Sequence, residues 1–189
     1  ELVEKGHSAE PKIKFVFGTQ TKKYRDYATE YLKNIVKHKG RNEKIWKIVK
    51  KQRRKKRGPT IILVKLRSHY KYLMRYLPES MQNLKIKYMD GETKGNIRKI
   101  MLEDFRAGKT DVLIASLILK RGMNIKSMNT LINAAGGDTE ATVVQIFGRA
   151  LRKNKRKYVW VYEFFDFGSH IMKHSKHRIK YYKNQEFQV

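Results

Sequence analysis

From Thr60 onward the chain switches repeatedly between a short apolar run and a helical pattern. The runs cover residues 60–66, 84–89, 111–115, 129–134 and 158–164. They are too short for helices and nearly continuous in apolar residues, which marks strands buried on both faces. Strands separated by helical stretches pair in parallel, because each crossover must return over the sheet before the next strand begins. The alternation therefore predicts an α/β fold, a mainly parallel sheet covered by helices on both sides in three layers. Between the runs, Ile97, Ile100, Met101 and Phe105 mark a helix closed by Gly108, and residues 68–77 mark another stopped by Pro78. Ligands of such sheets bind at the carboxyl ends of the strands, where loops lead into helix N-termini.

Ahead of this unit, Tyr24, Tyr27, Ala28, Tyr31, Leu32, Ile35 and Val36 recur at helical spacing and predict an amphipathic helix ending near Gly40, with the tyrosines in the core. A second helix, capped by Asn42, turns Ile45, Trp46 and Val49 inward. It runs into residues 50–57, seven cations in eight residues, before Gly58-Pro59 stops it. That run is a solvated helix end near the negative pole of the helix dipole, a contact to a nucleic-acid backbone, or a nuclear address. Like charges this dense repel one another until an anion arrives, which favours backbone contact through Arg53, Arg54, Lys55 and Lys56. The organisation expected is a connector and first strand over 1–23, a basic helical pair over 24–58, the α/β core over 59–168 and a closing helix over 169–189.

Charge narrows the partners. A formal net charge of +27, from 44 Lys plus Arg against 17 Asp plus Glu, opposes compaction unless polyanions screen it, so nucleic acid is the expected partner; lysine bias of an AT-rich genome is the bland alternative. Zero cysteines exclude disulfides and thiolate metal sites. No apolar stretch approaches the roughly 20 residues of a membrane helix or follows a signal-peptide layout, so no membrane partner and an intracellular location are expected. His170, His174 and His177 have metal-ligand spacing on a helix, but no nearby Glu or Cys completes the set and flanking cations repel an ion, so no metal site is expected. The chain carries no Gly-x-x-x-x-Gly-Lys-Ser/Thr phosphate loop and no Asp-Glu pair at a strand end to hold magnesium; alone it should neither bind nor hydrolyse ATP.

The segment around residue 148 carries the sharpest chemistry. Gln145, Gly148, Arg149 and Arg152 stand at i, i+3, i+4 and i+7, one face of a helix whose other face holds Val143, Val144, Phe147, Ala150 and Leu151. No carboxylate lies three or four positions from either arginine, so two guanidinium groups await an external anion; an exposed basic face is the alternative. Glycine inside a helix costs about 1 kcal/mol against alanine, and Gly148 marks a place where something approaches the backbone.

The spacing Gln-x-x-Gly-Arg-x-x-Arg resembles the arginine-finger motif of superfamily-two helicases, and three further stretches resemble that family in the same order. Residues 60–66 with Arg67-Ser68 resemble its motif IV, Tyr88-Met89-Asp90-Gly91-Glu92-Thr93 the following strand-to-helix turn, and residues 111–116 with Arg121-Gly122-Met123-Asn124-Ile125 its motif V. The resemblance is strongest to phage recombination and branch-migration helicases of the UvsW kind. It implies a RecA-like second motor domain acting with ATP and Mg2+ held mainly by a first motor domain of the same protein, and the stretch Leu2 to His7 resembles the connector between the two. Arg149 and Arg152 would be arginine fingers and Gln145 would orient water or couple the site to motif V. Gly122, Asn124 and Gly148 would lie near the nucleotide, and Arg67, Ser68, Ser116, Lys120 and Arg121 near the nucleic-acid backbone. Gly91 and Thr93 form either a phosphate-binding turn or an ordinary turn and N-cap. Asp166, His174, Ser175 and Arg178 match a helix that closes the domain. Leu117 departs from the pattern, since many relatives carry an acid there. The substrate implied is DNA, duplex or branched, in recombination or branch migration, in the cytoplasm of a host cell if the gene is a phage's. An RNA helicase domain and a non-catalytic basic DNA-binding module are the alternatives.

Overall fold

The computed structural model describes residues 10–19, 21–117, 128–151 and 158–187. Among them, β1 (Glu10–Phe17), β2 (Thr60–Val64), β3 (Ile86–Met89), β4 (Val112–Ser116), β5 (Thr130–Asn133) and β6 (Tyr158–Phe165) form one sheet in the order β1-β6-β5-β2-β4-β3. Every pairing is parallel. β2 and β5, in the centre, are buried at every residue, while β3 at one edge is mostly half-buried, as expected for a sheet covered on both faces. The opposite edge is β1, which joins the last strand in register, Ile13 beside Val161. Parallel pairing brings all these carboxyl ends to one side of the molecule.

Two helical layers cover the sheet. On one face α4 (Gly95–Arg106), α5 (Glu140–Leu151) and α6 (Ile171–Asn184) set Leu102, Phe105, Val143, Ile146 and Tyr182 against Ile61, Leu63, Leu113, Leu131 and Val161. On the other, α2 (Lys39–Arg54) and α3 (Arg67–Arg75) set Ile45, Trp46, Val49 and Leu73 against Ile62, Val64, Ile114, Ile132 and Phe164. Trp46 is wholly buried and donates its indole N–H to the Leu73 carbonyl at 2.8 Å, tying α2 to α3. The short helix α1 (Tyr27–Tyr31) continues as a π-helical turn, Leu32–Val36, and packs Tyr31, Ile35 and Val36 against Ile171 of α6.

Local chemistry moves several boundaries from where periodicity put them. Tyr24 precedes the first helix, because Asp26 caps it by accepting the Thr29 N–H. That helix gives way to the next at Lys37 and His38, and Gly40 lies inside the first turn of α2. Asn42 is not the cap: it is buried, and its amide donates to the Val36 and His38 carbonyls, satisfying the end of the preceding helix, while His38 caps α2. At the far end α2 stops before Gly58-Pro59. Lys56 takes a left-handed φ of 53°, its N–H bonds the Arg53 carbonyl, and the Arg57 N–H bonds that of Gln52, a Schellman closure with lysine where glycine is usual. In α4, Ile97 and Ile100 are 45% and 52% exposed and Leu102 turns inward instead. In α5 Thr142, Val143 and Ile146 are buried and Val144 is half-buried, so Ile146 belongs to the inward stripe.

Buried ion pairs lock the carboxyl ends of β5 and β6. Arg41 grips Asp166 through Nε at 2.7 Å and Nη2 at 3.1 Å and donates Nη1 to the Ala134 carbonyl at 2.9 Å. Arg178 pairs with Glu163 at 3.0 Å and reaches the Phe164 and Gly137 carbonyls. Asn133 and Tyr182 donate to the same Glu163 carboxylate. Ser175 accepts the Asp166 N–H, and Glu30, fully buried, accepts the N–H groups of Ser169, His170 and Ile171, capping α6. Of the residues that match a closing helix, Asp166, Ser175 and Arg178 take part in these bonds. Gly136 is required at the turn after β5: its φ is +59° and a Cβ there would meet Ile35 at 2.8 Å.

Candidate functional site

The strand order explains which candidate residues meet. β2, β4 and β3 are neighbours, about 4.8 Å apart, so Arg67 and Ser68 after β2, Ser116 ending β4 and Gly91 and Thr93 after β3 form one cluster at the carboxyl edge. Arg67 is exposed yet already partnered, with Asp90 Oδ2 at 3.4 Å and with Glu92. Asp90 organises the turn: it accepts the Glu92 N–H at 3.0 Å and the Thr93 hydroxyl at 3.2 Å, while its own N–H donates to Thr93 Oγ1. Burial works to raise the Asp90 carboxyl, and these bonds with the Arg67 charge outweigh it, leaving its pKa below the ordinary value. The Glu92 amide is therefore occupied, Thr93 shapes the turn, and Gly91 is left exposed between the two acids that hold Arg67. Leu117, at the departure from the family pattern, is half-buried and packs on the core.

The arginine-bearing helix presents a second face. In α5 the inward stripe is buried, while Gln145 is exposed and Gly148 half-buried on the outward side. No described atom lies within 4 Å of where a Cβ on Gly148 would sit, so among the described residues nothing requires glycine there. Arg149 is in the last turn of α5, about 14 Å along the helix from its start at the carboxyl edge. Lys120, Arg121, Gly122, Asn124 and Arg152 lie outside the described residues.

Arg53, Arg54, Lys55 and Lys56 are not brought to this cluster. They precede β2 and so stand at the amino ends of the strands, on the opposite side from Arg67 and Gly91, and Arg53 is paired with Asp111. The histidines of α6 meet acids from the β5–α5 turn: His174 Nδ1 is 2.6 Å from Asp138 Oδ1, and His177 lies 3.5 Å from Asp138 and 3.4 Å from Glu140. Burial would raise the Asp138 carboxyl, and the two imidazoles hold it below the ordinary range instead. Sequence reading missed these acids because turn and helix meet only in the fold. Among the described residues Asp138, Glu140 and His177 could together reach one cation, and His170 does not join them.

A parallel six-stranded sheet between helical layers, with polar loops gathered at its carboxyl edge, defines a RecA-like α/β domain. Residues 40–154 match the family model of the helicase conserved C-terminal domain, and the chain belongs to that family. Among curated relatives, the ATP-dependent RNA helicase DBP10 of Pyricularia oryzae is 28% identical over 117 residues, covering 55% of this chain and 13% of that protein. The ATP-dependent RNA helicase dbp5 of Sclerotinia sclerotiorum is 36% identical over 76 residues, covering 40% of this chain and 16% of its own length. The chain thus spans a small part of the relatives it matches. Among solved structures, T4 UvsW matches with a TM-score of 0.70 at 22% identity, over 95% of this chain and 40% of that one. The C-terminal domain of the DEAD-box protein Dbp5 matches with a TM-score of 0.61 at 18% identity, over 95% and 86%. No helix among the described residues is long and apolar enough to cross a membrane.

Proposed function

We propose that this chain is the second motor domain of an ATP-dependent nucleic-acid helicase or translocase, working against a first motor domain that holds ATP and magnesium. The observation that carries the reading is the outward face of α5. Gln145 and Gly148 stand there, with open space over the glycine, on the helix whose last turn contains Arg149. A helical glycine costs about 1 kcal/mol, and close approach by another body gives it a reason. In sequence, Gln145, Gly148, Arg149 and Arg152 supply donors suited to phosphate oxygens and no carboxylate for magnesium, which fits the phosphate side of a shared site.

Bound at the facing domain, ATP supplies the phosphoryl group that is transferred to water. Arg149 and Arg152 neutralise charge developing on that group, a contribution of about 10³ to 10⁵ in rate for arginine fingers. Gln145 orients water or passes closure on to the loop after β4. Arg67, Ser68, Gly91 and Ser116, with Lys120 and Arg121, hold the nucleic-acid backbone at the carboxyl edge, and Arg67 does so by exchanging Glu92 for phosphate. Phosphate contacts carry no sequence information, so binding is sequence-tolerant.

The family resemblance favours DNA, including branched DNA in recombination. RNA is the second reading, favoured by the names of the sequence relatives. In the full-length protein Arg149→Lys keeps the charge and loses the planar fork, so steady-state ATP hydrolysis at saturating nucleic acid should fall sharply while nucleotide-free binding stays near normal. Near-normal turnover would mean the finger is misassigned. Stimulation by duplex DNA, branched DNA and RNA compared in the same assay chooses the substrate.

A further inference from the structure

We propose that Lys12, Lys14, Lys55, Arg57 and Trp160 form a second nucleic-acid site, a track for backbone phosphates at the amino ends of β1 and β6, remote from the carboxyl-edge loops. The site rests on the reading of the chain as part of a nucleic-acid motor, but its residues belong to none of the helicase-like motifs. The β1–β6 register sets Lys12 beside Trp160 and Lys14 beside Tyr162, on the α2 side of the sheet. The end of α2 then brings its own cations to the same rings. The Arg57 guanidinium lies 3.9 Å from the centre of the Trp160 ring, the Lys14 ammonium 5.0 Å and the Lys12 ammonium 5.7 Å, and Lys12 is 4.0 Å from the centre of the Tyr158 ring.

Three cations around one indole repel each other, and the ring faces offset only part of that, about 0.5–1 kcal/mol each at exposed sites. Among the described residues none of Lys12, Lys14, Lys55 and Arg57 has a carboxylate partner, unlike Arg53 nearby. At the amino ends of β1 and β6 the strand pairing carries one acid in sequence, Glu10, in register with Tyr158, against four cations, so the local composition is positive. Lys12, Lys55 and Arg57 line a cleft of about 380 Å³ with Asn129 and Trp160, Lys14 reaching the same indole from beside it, and Lys55 is shared with an adjoining cleft of about 500 Å³ lined by Lys47, Lys50, Lys51 and Arg54. From Lys47 to Lys55 the helix alone extends about 12 Å. That length exceeds one phosphate and suits successive phosphates of a strand, which selects a polyanion over a small anion. The rings are occupied by cations and so fix the track's charges in place, which makes the contact one to backbone and not to bases.

The test uses residues 1–189 and a short duplex titrated with salt. Lys14 and Lys55 are exposed, so the Lys14→Glu, Lys55→Glu double variant should fold with an unchanged urea midpoint. The slope of log affinity against log salt should shrink by about 1.8, two contacts at about 0.9 each on duplex. Arg57→Ala should shrink it by about 0.9. The charge-matched Lys180→Glu, Lys183→Glu variant, exposed on the other helical layer, should leave the slope near normal. Equal loss in patch and control variants, or no loss in the patch, overturns the track. So does a patch variant that loses binding to phosphatidylserine vesicles while its duplex binding is unchanged. Binding lost in the patch while full-length Arg149→Lys turns over normally keeps the track and overturns the arginine-finger assignment; the reverse pattern overturns the track alone.

Discussion

His69 shows what burial does to a single side chain. It is wholly buried, and its Nε2 lies 3.0 Å from Asn42 Oδ1. That oxygen can only accept while the Asn42 amide donates to Val36 and His38, so Nε2 carries the proton and Nδ1 is the bare nitrogen. Burial first, and the nearby Arg41 charge second, push its pKa well below the ordinary 6.5. The unfolded chain then takes up a proton that the folded one refuses. Stability contributed by neutral His69 is present above about pH 6.5 and lost as pH falls below it, up to about 1.4 kcal/mol by one unit lower. Urea midpoints across that window should fall for the native protein and flatten in His69→Gln; an unchanged slope in the variant would assign the effect elsewhere. The Arg178–Glu163 pair answers to the same rule. Burial raises the Glu163 carboxyl against the pull of Arg178, Tyr182 and Asn133, so Arg178→Met, which strands that carboxylate, should cost about 3–5 kcal/mol. Adding Glu163→Gln should recover part of the loss in thermal unfolding, since the two residues form one unit.

At the scale of an element, two helices hold residues that their own geometry disfavours. Lys56 closes α2 in a left-handed conformation, so Lys56→Gly should raise stability by about 0.5–1 kcal/mol by removing backbone strain, and a lowered urea midpoint would contradict the Schellman closure. Gly148 weakens α5 where the domain itself has room for a methyl group. Gly148→Ala should stabilise the isolated chain by about 1 kcal/mol and depress ATP turnover in the full-length protein, where the facing domain has to come close. Unaffected turnover would mean that close approach is not why the helix keeps a glycine. In α4 the helical spacing marked the helix itself, while Ile97 and Ile100 of that stripe stay exposed and Leu102 and Phe105 are the residues buried in the core.

Over the whole molecule, +27 of net charge on 189 residues sets a self-repulsion that salt screens within about 10 Å at 0.1 M. The melting temperature of the isolated chain should rise with salt, while its affinity for nucleic acid falls steeply; affinity insensitive to salt would point to a sequence-specific module instead. The isolated chain should not hydrolyse ATP, and nucleic-acid-stimulated hydrolysis by residues 1–189 would defeat the two-domain reading. The two proposed sites, at opposite ends of the strands, would make a larger footprint than one groove, and variants at each end separate their contributions.

The chain's one-dimensional pattern determined the fold class, because strand and helix periods are local and a helix between two strands forces parallel pairing. Arg67, Gly91 and Ser116 were legible as strand-end positions, and Gln145 with Gly148 as one outward face, since spacing alone sets those. The order of the strands was not legible: β1 pairs with β6 across the length of the chain, which only global packing selects. Nor were the partners that decide each charge's role. Arg41 meets Asp166 125 residues away, Glu30 caps a helix 141 residues away at Ile171, and Lys12 and Arg57 converge on Trp160. Buried polar groups must be satisfied wherever the folded chain brings a partner, and sequence distance carries no record of that choice.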